Sequence, residues 1–368
     1  MARKHIILMA GRTGGPLTPL LAMSTQLPYR PFILGVRGGY EEQVARTKGY
    51  PFLPLPATKL SALSFSGSNA KLLLEIPLQL GLLLWAVVLS GIYIFQHRPV
   101  AVLGAGGFTS VPMTIAVRLF RLLGNEPHIV VHQQDPLVGI ANKIALRLAD
   151  TCSYVYTTSR HSNLLEKAWQ IPNPIQLENY TLESITSLGE EYPKVNSFLD
   201  TQSKPVLLIF GGGSGAKVIN DWVVAQAPAL LAHFSVVHLT GILQDTPLPE
   251  IKHPDYWRQE FALEEMPLLM KKADLVLCRA GLGSISELTY LQKPAFLVPL
   301  KESHQELNAK EVAHQFFVLH QDQTASWVST LQEQYPNYFQ TLSWPDPAEY
   351  HARLNTYYAQ LEQSIEQA

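Results

Sequence analysis

A chain of 368 residues, 47% of them hydrophobic, is long enough for two domains with cores of their own. A formal charge of −2 and a pI near 6.6 give no electrostatic basis for binding nucleic acid. The two cysteines, Cys152 and Cys278, have neither metal-ligand nor redox spacing, which fits a reduced cytoplasmic protein; no metal and no cofactor are expected.

The N-terminal "MARKH" passes straight into the strand-like run 5–10, "HIILMA", which argues against a cleaved signal peptide. The glycine loop "GRTGG" (11–15) follows, and a second strand is expected at 31–36. The run 80–95, "LGLLLWAVVLSGIYIF", carries no charge but is slightly short for a span and is interrupted upstream by Glu75, Pro77 and Gln79. Glycine loops lie on either side of it, at 11–15 and 104–107, so a buried or membrane-docking helix is expected rather than a span. Strands at 99–104 and 128–133 complete the first series, with helix-like segments between them. Residues 171–205 carry prolines and charge with weak periodicity, and read as a linker with a boundary near Asn173–Pro174. The scheme then repeats with strands at 205–210, 234–240, 274–278 and 294–300. Near-continuous apolar strands separated by helices indicate parallel sheets covered on both faces. A last helix places Leu354, Tyr358, Leu361 and Ile365 on one face, as if to pack on one of the domains.

Three glycine clusters share one context, the end of a strand and the start of a helix: 11–15, "GAGG" (104–107) and "GGGSGA" (211–216). Glycine there admits positive φ and close approach of another molecule, and the helix that follows offers free N–H groups to an anion. Neither the Walker pattern nor G-x-G-x-x-G is matched, so a nucleotide held between two domains fits better than a single dinucleotide cofactor. A fourth cluster, "CRAGLGSISEL" (278–288), follows the strand "DLVLC" and opens a helix around Ser284. Glu287 lies about one turn in, where a carboxylate can accept hydrogen bonds from two adjacent hydroxyls or can simply complement the helix dipole. "SHQELNA" (303–309) sets His304, Gln305 and Asn308 at helical spacing, which also describes a solvated face.

Taken in order, "AGRTGGPLTP", "LGAGGFTSVP", "HQQDPLVGIANKIA", "PNPI", "FGGGSGAKVIN", "ADLVLCRAGLGSISEL", "KPAFLVPL" and "HQELNA" resemble the MurG family over residues 5 to about 315. The resemblance implies an α/β protein of the GT-B fold, two Rossmann-like domains with parallel sheets facing across a cleft. It implies an acceptor-binding, membrane-associated domain over 1–172, a UDP-sugar-binding domain over 173–345 and a terminal helix over 346–368. The implied activity is transfer of N-acetylglucosamine from UDP-N-acetylglucosamine to lipid I, forming lipid II for peptidoglycan on the cytosolic membrane face. By motif, Thr13, Gly14 and Gly15 would face the sugar or diphosphate, with Gly106 and Gly107 in the companion loop. Gly213, Ser214 and Gly215 would approach the diphosphate and Leu263 the uracil. Arg279, Gly281, Leu282, Gly283, Ser284, Ile285 and Ser286 would surround the nucleotide, and Glu287 would hold the ribose. Gln305, with His304 and Asn308 near, would contact the donor sugar.

Five positions depart from the family pattern. Pro16 stands where a histidine, a proposed base, is expected. Gln133 and Asp135 in "HQQD" replace a glutamate and an asparagine, Gln176 replaces an arginine, and Gly213 replaces a serine. Asp135 is the first candidate for the base and His132 the second; the third possibility is that no protein base is used. An aspartate at its ordinary pKa of ~3.9 is a weak base, so its surroundings would have to raise it. A related GT-B enzyme with another UDP-sugar or acceptor, and a non-catalytic nucleotide- or membrane-binding descendant, stand as alternatives.

Overall fold

The computed structural model describes all residues except 1–3, 12, 13, 57–69, 122, 123, 125, 158–164, 180, 181, 243–246, 341–343, 345 and 368. The chain divides into two units, residues 1–174 with 352–368, and residues 175–351.

In the first unit the order is β1 (His5–Met9), α1 (Gly14–Thr25), β2 (Arg30–Val36), α2 (Tyr40–Lys48), β3 (Phe52–Leu55) and α3 (Ala70–His97). It continues with β4 (Ala101–Gly104), α4 (Ser110–Arg121), β5 (His128–Gln133), α5 (Ile140–Leu148), β6 (Thr151–Tyr154) and β7 (Trp169–Gln170). The seven strands form one parallel sheet in the order β3-β2-β1-β4-β5-β6-β7. Its central strands are apolar almost without interruption because helices cover both faces; Ile6, Ile7, Leu8, Val102, Leu103 and Ile129 are fully buried. Each such side chain contributes roughly 1.5–3 kcal/mol by leaving water.

The second unit opens with α6 (Leu182–Glu191) and α7 (Pro193–Asp200), then β8 (Val206–Phe210), α8 (Lys217–His233), β9 (Ser235–Leu239), β10 (Tyr256–Gln259) and α9 (Met266–Lys272). β11 (Leu275–Cys278), α10 (Leu282–Tyr290), β12 (Ala295–Leu297), α11 (His304–Glu311), β13 (Phe317–Val318), α12 (Trp327–Gln334) and α13 (Pro347–Glu366) follow. Six parallel strands run β10-β9-β8-β11-β12-β13 around a core that includes the fully buried Trp327. α13 is continuous across the second division of the chain: its residues from Ala352 onward belong to the first unit, where Leu354, Tyr357, Leu361 and Ile365 are buried.

The linker expected over 171–205 is corrected by α6 and α7, which bury Ile185, Leu188, Val195 and Leu199. Gly189 and Pro193 break their periodicity into two short helices, which in sequence looks like no period at all. The strands absent from the sequence reading are mostly at sheet edges. β3 contains Pro54, and β10, "YWRQ", is polar and half-exposed, since an edge strand need not be apolar on both faces.

The uncharged run lies within α3. Ala86, Ser90, Gly91 and Ile94 face inward, and Gly91 leaves room for the ring of Phe120 on α4. The opposite face is neither buried nor polar: Leu84 is 67% exposed, Trp85 53%, and Val88, Ile92 and Phe95 continue the row. Residues 77–97 have a mean hydropathy of 2.1 and are long and apolar enough to cross a membrane by length and composition, but from Ala86 onward one face is part of the protein core.

Candidate active site

Because every strand of the second sheet is parallel, the loops after β8, β9, β10, β11 and β12 leave the same edge. The strand order reverses between β8 and β11, the place where open α/β sheets bind ligands. The loop after β8 turns through Gly212 and Gly215, both at positive φ (85° and 87°). Gly215 lies flat against Gly241, where a side chain on Gly241 would strike its backbone. Among the described residues the N–H groups of Gly213 and Ser214 make no hydrogen bond. The first turns of α8 and α10 start at Ala216 and Gly281 without a side-chain cap. Free donors and two positive dipole ends thus meet at neighbouring strands, an arrangement that favours a phosphate.

A buried histidine braces this edge. Tyr256 O–H donates to His238 Nδ1 (2.8 Å), His238 Nε2 donates to Asn220 Oδ1 (3.0 Å), and Asn220 Nδ2 donates to the carbonyl of Thr240 (2.9 Å), beside Gly241. Burial lowers the pKa of His238 to about 3, so it stays neutral and keeps this pattern.

Glu287 lies on the outer side of α10 with Gly283 and Ser284, whereas Leu282, Ile285, Ser286 and Leu288 face the core. The residue retains some exposure, yet protein atoms crowd its carboxyl, and desolvation raises its pKa to about 7. Among the described residues this carboxyl has neither a hydrogen bond nor an ion pair. A crowded carboxyl that no described group of the protein satisfies has its hydrogen-bonding capacity open.

Several expected contacts change. Leu282 and Ile285 are core residues, and the Ser286 hydroxyl donates back to the carbonyl of Leu282 (2.7 Å), so this part of the cluster can meet a ligand through backbone N–H groups and not side chains. The Arg279 guanidinium donates to the carbonyls of Val298 and Pro299 (3.1 and 3.3 Å) and reaches Gln321 (3.4 Å); it ties down the loop after β12. Asn308 is fully buried and donates to the carbonyl of Ala280 (3.1 Å), holding the loop before α10 from below. Gln305 accepts the N–H of Leu300 through Oε1 (3.0 Å), which leaves its amide nitrogen as the end that can donate outward, and His304 is exposed at the start of α11. Leu263 is half-buried in the loop after β10, which Gln259 shapes by donating to Phe261 O and Glu265 Oε1 (3.1 and 2.8 Å). Gln176 begins a short 3₁₀ turn at 176–179, two residues past the chain division, and is half-buried.

In the first unit the order reverses between β1 and β4. Thr13 lies outside the described residues; Gly14 and Gly15 open α1, with Gly15 exposed. Gly106 and Gly107 have positive φ (118° and 85°). A Cβ on Gly11 would lie 2.7 Å from Gly107 Cα, so at this pair the close approach is of one loop to the other and not of a ligand to a loop. The loop after β5 carries Asp135, half-buried, whose carbonyl accepts Gln133 Nε2 (2.7 Å). His132 is corrected from candidate base to internal brace. It is fully buried; Tyr357 O–H donates to Ser153 Oγ (3.2 Å), Ser153 donates to His132 Nδ1 (2.9 Å), and His132 Nε2 donates to Asn173 Oδ1 (3.1 Å). Burial lowers its pKa to about 4, and with both nitrogens engaged it has no lone pair for a substrate.

Residues 6–153 match the glycosyltransferase family 28 N-terminal domain and residues 206–346 its C-terminal domain. An enzyme named UDP-N-acetylglucosamine--N-acetylmuramyl-(pentapeptide) pyrophosphoryl-undecaprenol N-acetylglucosamine transferase, from Clostridium botulinum (strain Loch Maree / Type A3), is 32% identical over 311 residues, 81% of this chain and 79% of that protein. Its namesake from Geobacillus thermodenitrificans is 32% identical over 312 residues, 82% and 80% of the two chains. The chain belongs to glycosyltransferase family 28. The crystal structure of Acinetobacter baumannii MurG superposes with a TM-score of 0.60 at 21% identity, covering 99% of this chain and 100% of that one, and the fold is GT-B.

Within this family 28 chain the departures acquire physical reasons. Gln133 donates to the carbonyls of Asp135 and Leu137 (2.7 and 3.2 Å), which a glutamate could not do, and accepts from Asn142 Nδ2 (2.6 Å). Pro16 sits in the first turn of α1, where its missing N–H costs no helical bond but removes one donor from that helix end. Gln134, which the motif reading passed over, is buried beside Gly15. No sequence signal singles it out, because β5 is buried on both faces and alternation carries no information one residue past its end.

The Glu287 environment sets a pH dependence of stability. Its pKa is higher folded than unfolded, so the native state binds the extra proton and wild type should lose stability as pH rises from about 4.5 to about 7. Melting curves of wild type and Glu287→Gln across that range should show the difference growing in favour of the variant. A constant difference would mean that the carboxyl is solvated like any surface glutamate.

Proposed function

We propose that this chain transfers N-acetylglucosamine from UDP-N-acetylglucosamine to lipid I, with inversion, to give lipid II. The observation that carries the reading is the unpartnered Glu287 carboxyl beside the anion site between β8 and β11, in a chain whose relatives are named for this reaction. In this reading the second unit holds the donor. Glu287 accepts from the two ribose hydroxyls, and the backbone around Leu263 pairs with the uracil. The N–H groups of Gly213 and Ser214 and the first turns of α8 and α10 neutralise the diphosphate, and Gln305 and His304 meet the sugar. As the glycosidic bond to UDP breaks, the same donors stabilise the departing charge in a fixed geometry.

The first unit takes the acceptor. Asp135 removes the proton of the attacking hydroxyl, in a loop whose backbone Gln133 holds in place. The lipid-linked acceptor brings the protein to the cytosolic face of the membrane as a peripheral enzyme, and the exposed row Leu84, Trp85, Val88, Ile92 and Phe95 enters the bilayer surface. The inward face of α3 is already committed to the core, which supports docking and not a span.

Incubation with labelled UDP-N-acetylglucosamine and lipid I should give labelled lipid II. Asp135→Asn should lower turnover by about 10²-fold or more with donor affinity kept. Near-normal turnover in that variant would assign the reaction to no protein base. Transfer by neither wild type nor Pro16→His would favour the non-catalytic reading. A single charge on the exposed face, Trp85→Glu, should weaken flotation with liposomes while leaving UDP affinity unchanged; equal flotation would mean that α3 is not the docking face.

A further inference from the structure

The first unit contains a polar side chain that the donor reaction does not use. Gln134 is 5% exposed, and among the described residues its amide makes no hydrogen bond. Its Nε2 lies 3.8 Å from where a Cβ on Gly15 would stand, and Gly15 itself is exposed. The two residues before it differ: His132 is wired into the core, and Gln133 is spent on the loop. An amide buried without a partner costs roughly 1–3 kcal/mol, so the fold gains nothing from a glutamine here.

A second amide points the same way. Gln133 donates through Nε2 to two carbonyls, so its Oε1 must face Asn142, which must then present Nδ2. That fixes the orientation of Asn142 and leaves its Oδ1 buried without a hydrogen bond, 3.7 Å from the Cβ position of Gly106. Amide groups are thus left unsatisfied beside both glycine loops, at the reversal point of this sheet. An amide oxygen needs an N–H or O–H donor. A diphosphate has none and would be repelled by it, whereas a sugar with hydroxyl and acetamido groups supplies both donors and acceptors. The terminal torsion of glutamine is soft, so either end of the amide can turn to the exposed side of Gly15.

We propose that Gln134 is a binding residue for the acceptor's sugar ring, whose hydroxyl or acetamido group supplies the hydrogen-bond partner that the protein withholds. This rests on the acceptor occupying the first unit. The residue would select among acceptors, since a site built to pair with a polar group discriminates against an analogue without it.

The test compares wild type with Gln134→Met, which keeps length and apolar packing. Steady-state kinetics with a short-chain lipid I analogue should show kcat/KM for the acceptor reduced about tenfold. The KM for UDP-N-acetylglucosamine should stay within about twofold, and the melting temperature should be equal or higher, because an unsatisfied amide has been removed. A merely structural glutamine would give the reverse: a lower melting temperature and no selective effect on the acceptor. Unchanged acceptor kinetics, or a variant that fails to fold, overturns the assignment while the transferase reading stands. Wild type that binds UDP but transfers to no acceptor overturns that reading, and this assignment with it.

Discussion

Parallel strand pairing is the constraint from which the rest follows. Every strand-to-strand pairing in both sheets is parallel, so each strand's carboxyl end, and the loop that leaves it, lies on one edge. Chain reversal within each sheet then separates two adjacent loops, after β1 and β4 in one unit and after β8 and β11 in the other. No side chain has to be recruited from afar to build a site there. Free N–H groups, glycine backbones and helix ends converge because the hydrogen-bond ladders put them there. The glycines divide into two kinds on this edge. Gly11, Gly107, Gly215 and Gly241 let loop meet loop, while the N–H groups of Gly213 and Ser214 are left for something else.

Each edge is held by one neutral histidine in the core. His238 joins β9 and β10 to α8 and the loop at Thr240; His132 joins β5 and β6 to Asn173 and to Tyr357 of α13. Asn173 stands just before the chain leaves the first unit, and Tyr357 shortly after it returns, so a single imidazole anchors both passages on that unit's side. Desolvation keeps both rings uncharged, which preserves the direction of every donor in the two chains of hydrogen bonds.

Much of this was legible in the residues themselves. Apolar runs such as "PVLLIF" and "DLVLC" announced buried parallel strands, and the helix expected to open around Ser284 begins at Leu282 and carries Glu287. The edge strands were not legible, because β3 and β10 obey neither rule of composition. Nor was the difference among His132, Gln133 and Gln134. Three polar residues in a row look equivalent in sequence; which one is wired, which one shapes a loop and which one lacks a partner depends on Ser153, Asn173 and Asn142, 9 to 41 residues away. Nor does a motif say whether a polar side chain faces outward or toward a carbonyl of its own protein, as those of Arg279 and Ser286 do.

In the proposed reading the protein leaves the Glu287 carboxyl for the donor to satisfy. With a pKa of about 7 much of it is protonated at pH 6.5 in the free protein, and in the proposed reading the ionised form, which offers both oxygens as acceptors, is the one that takes the two ribose hydroxyls. UDP-N-acetylglucosamine has no group of its own that titrates there, so binding should release protons from the protein. Calorimetric titration at pH 6.5 in buffers of different ionisation enthalpy reads this directly. Release of about half a proton or more per ligand is expected, declining toward pH 8.5 and absent in Glu287→Gln. Heats of binding independent of the buffer in wild type would contradict it.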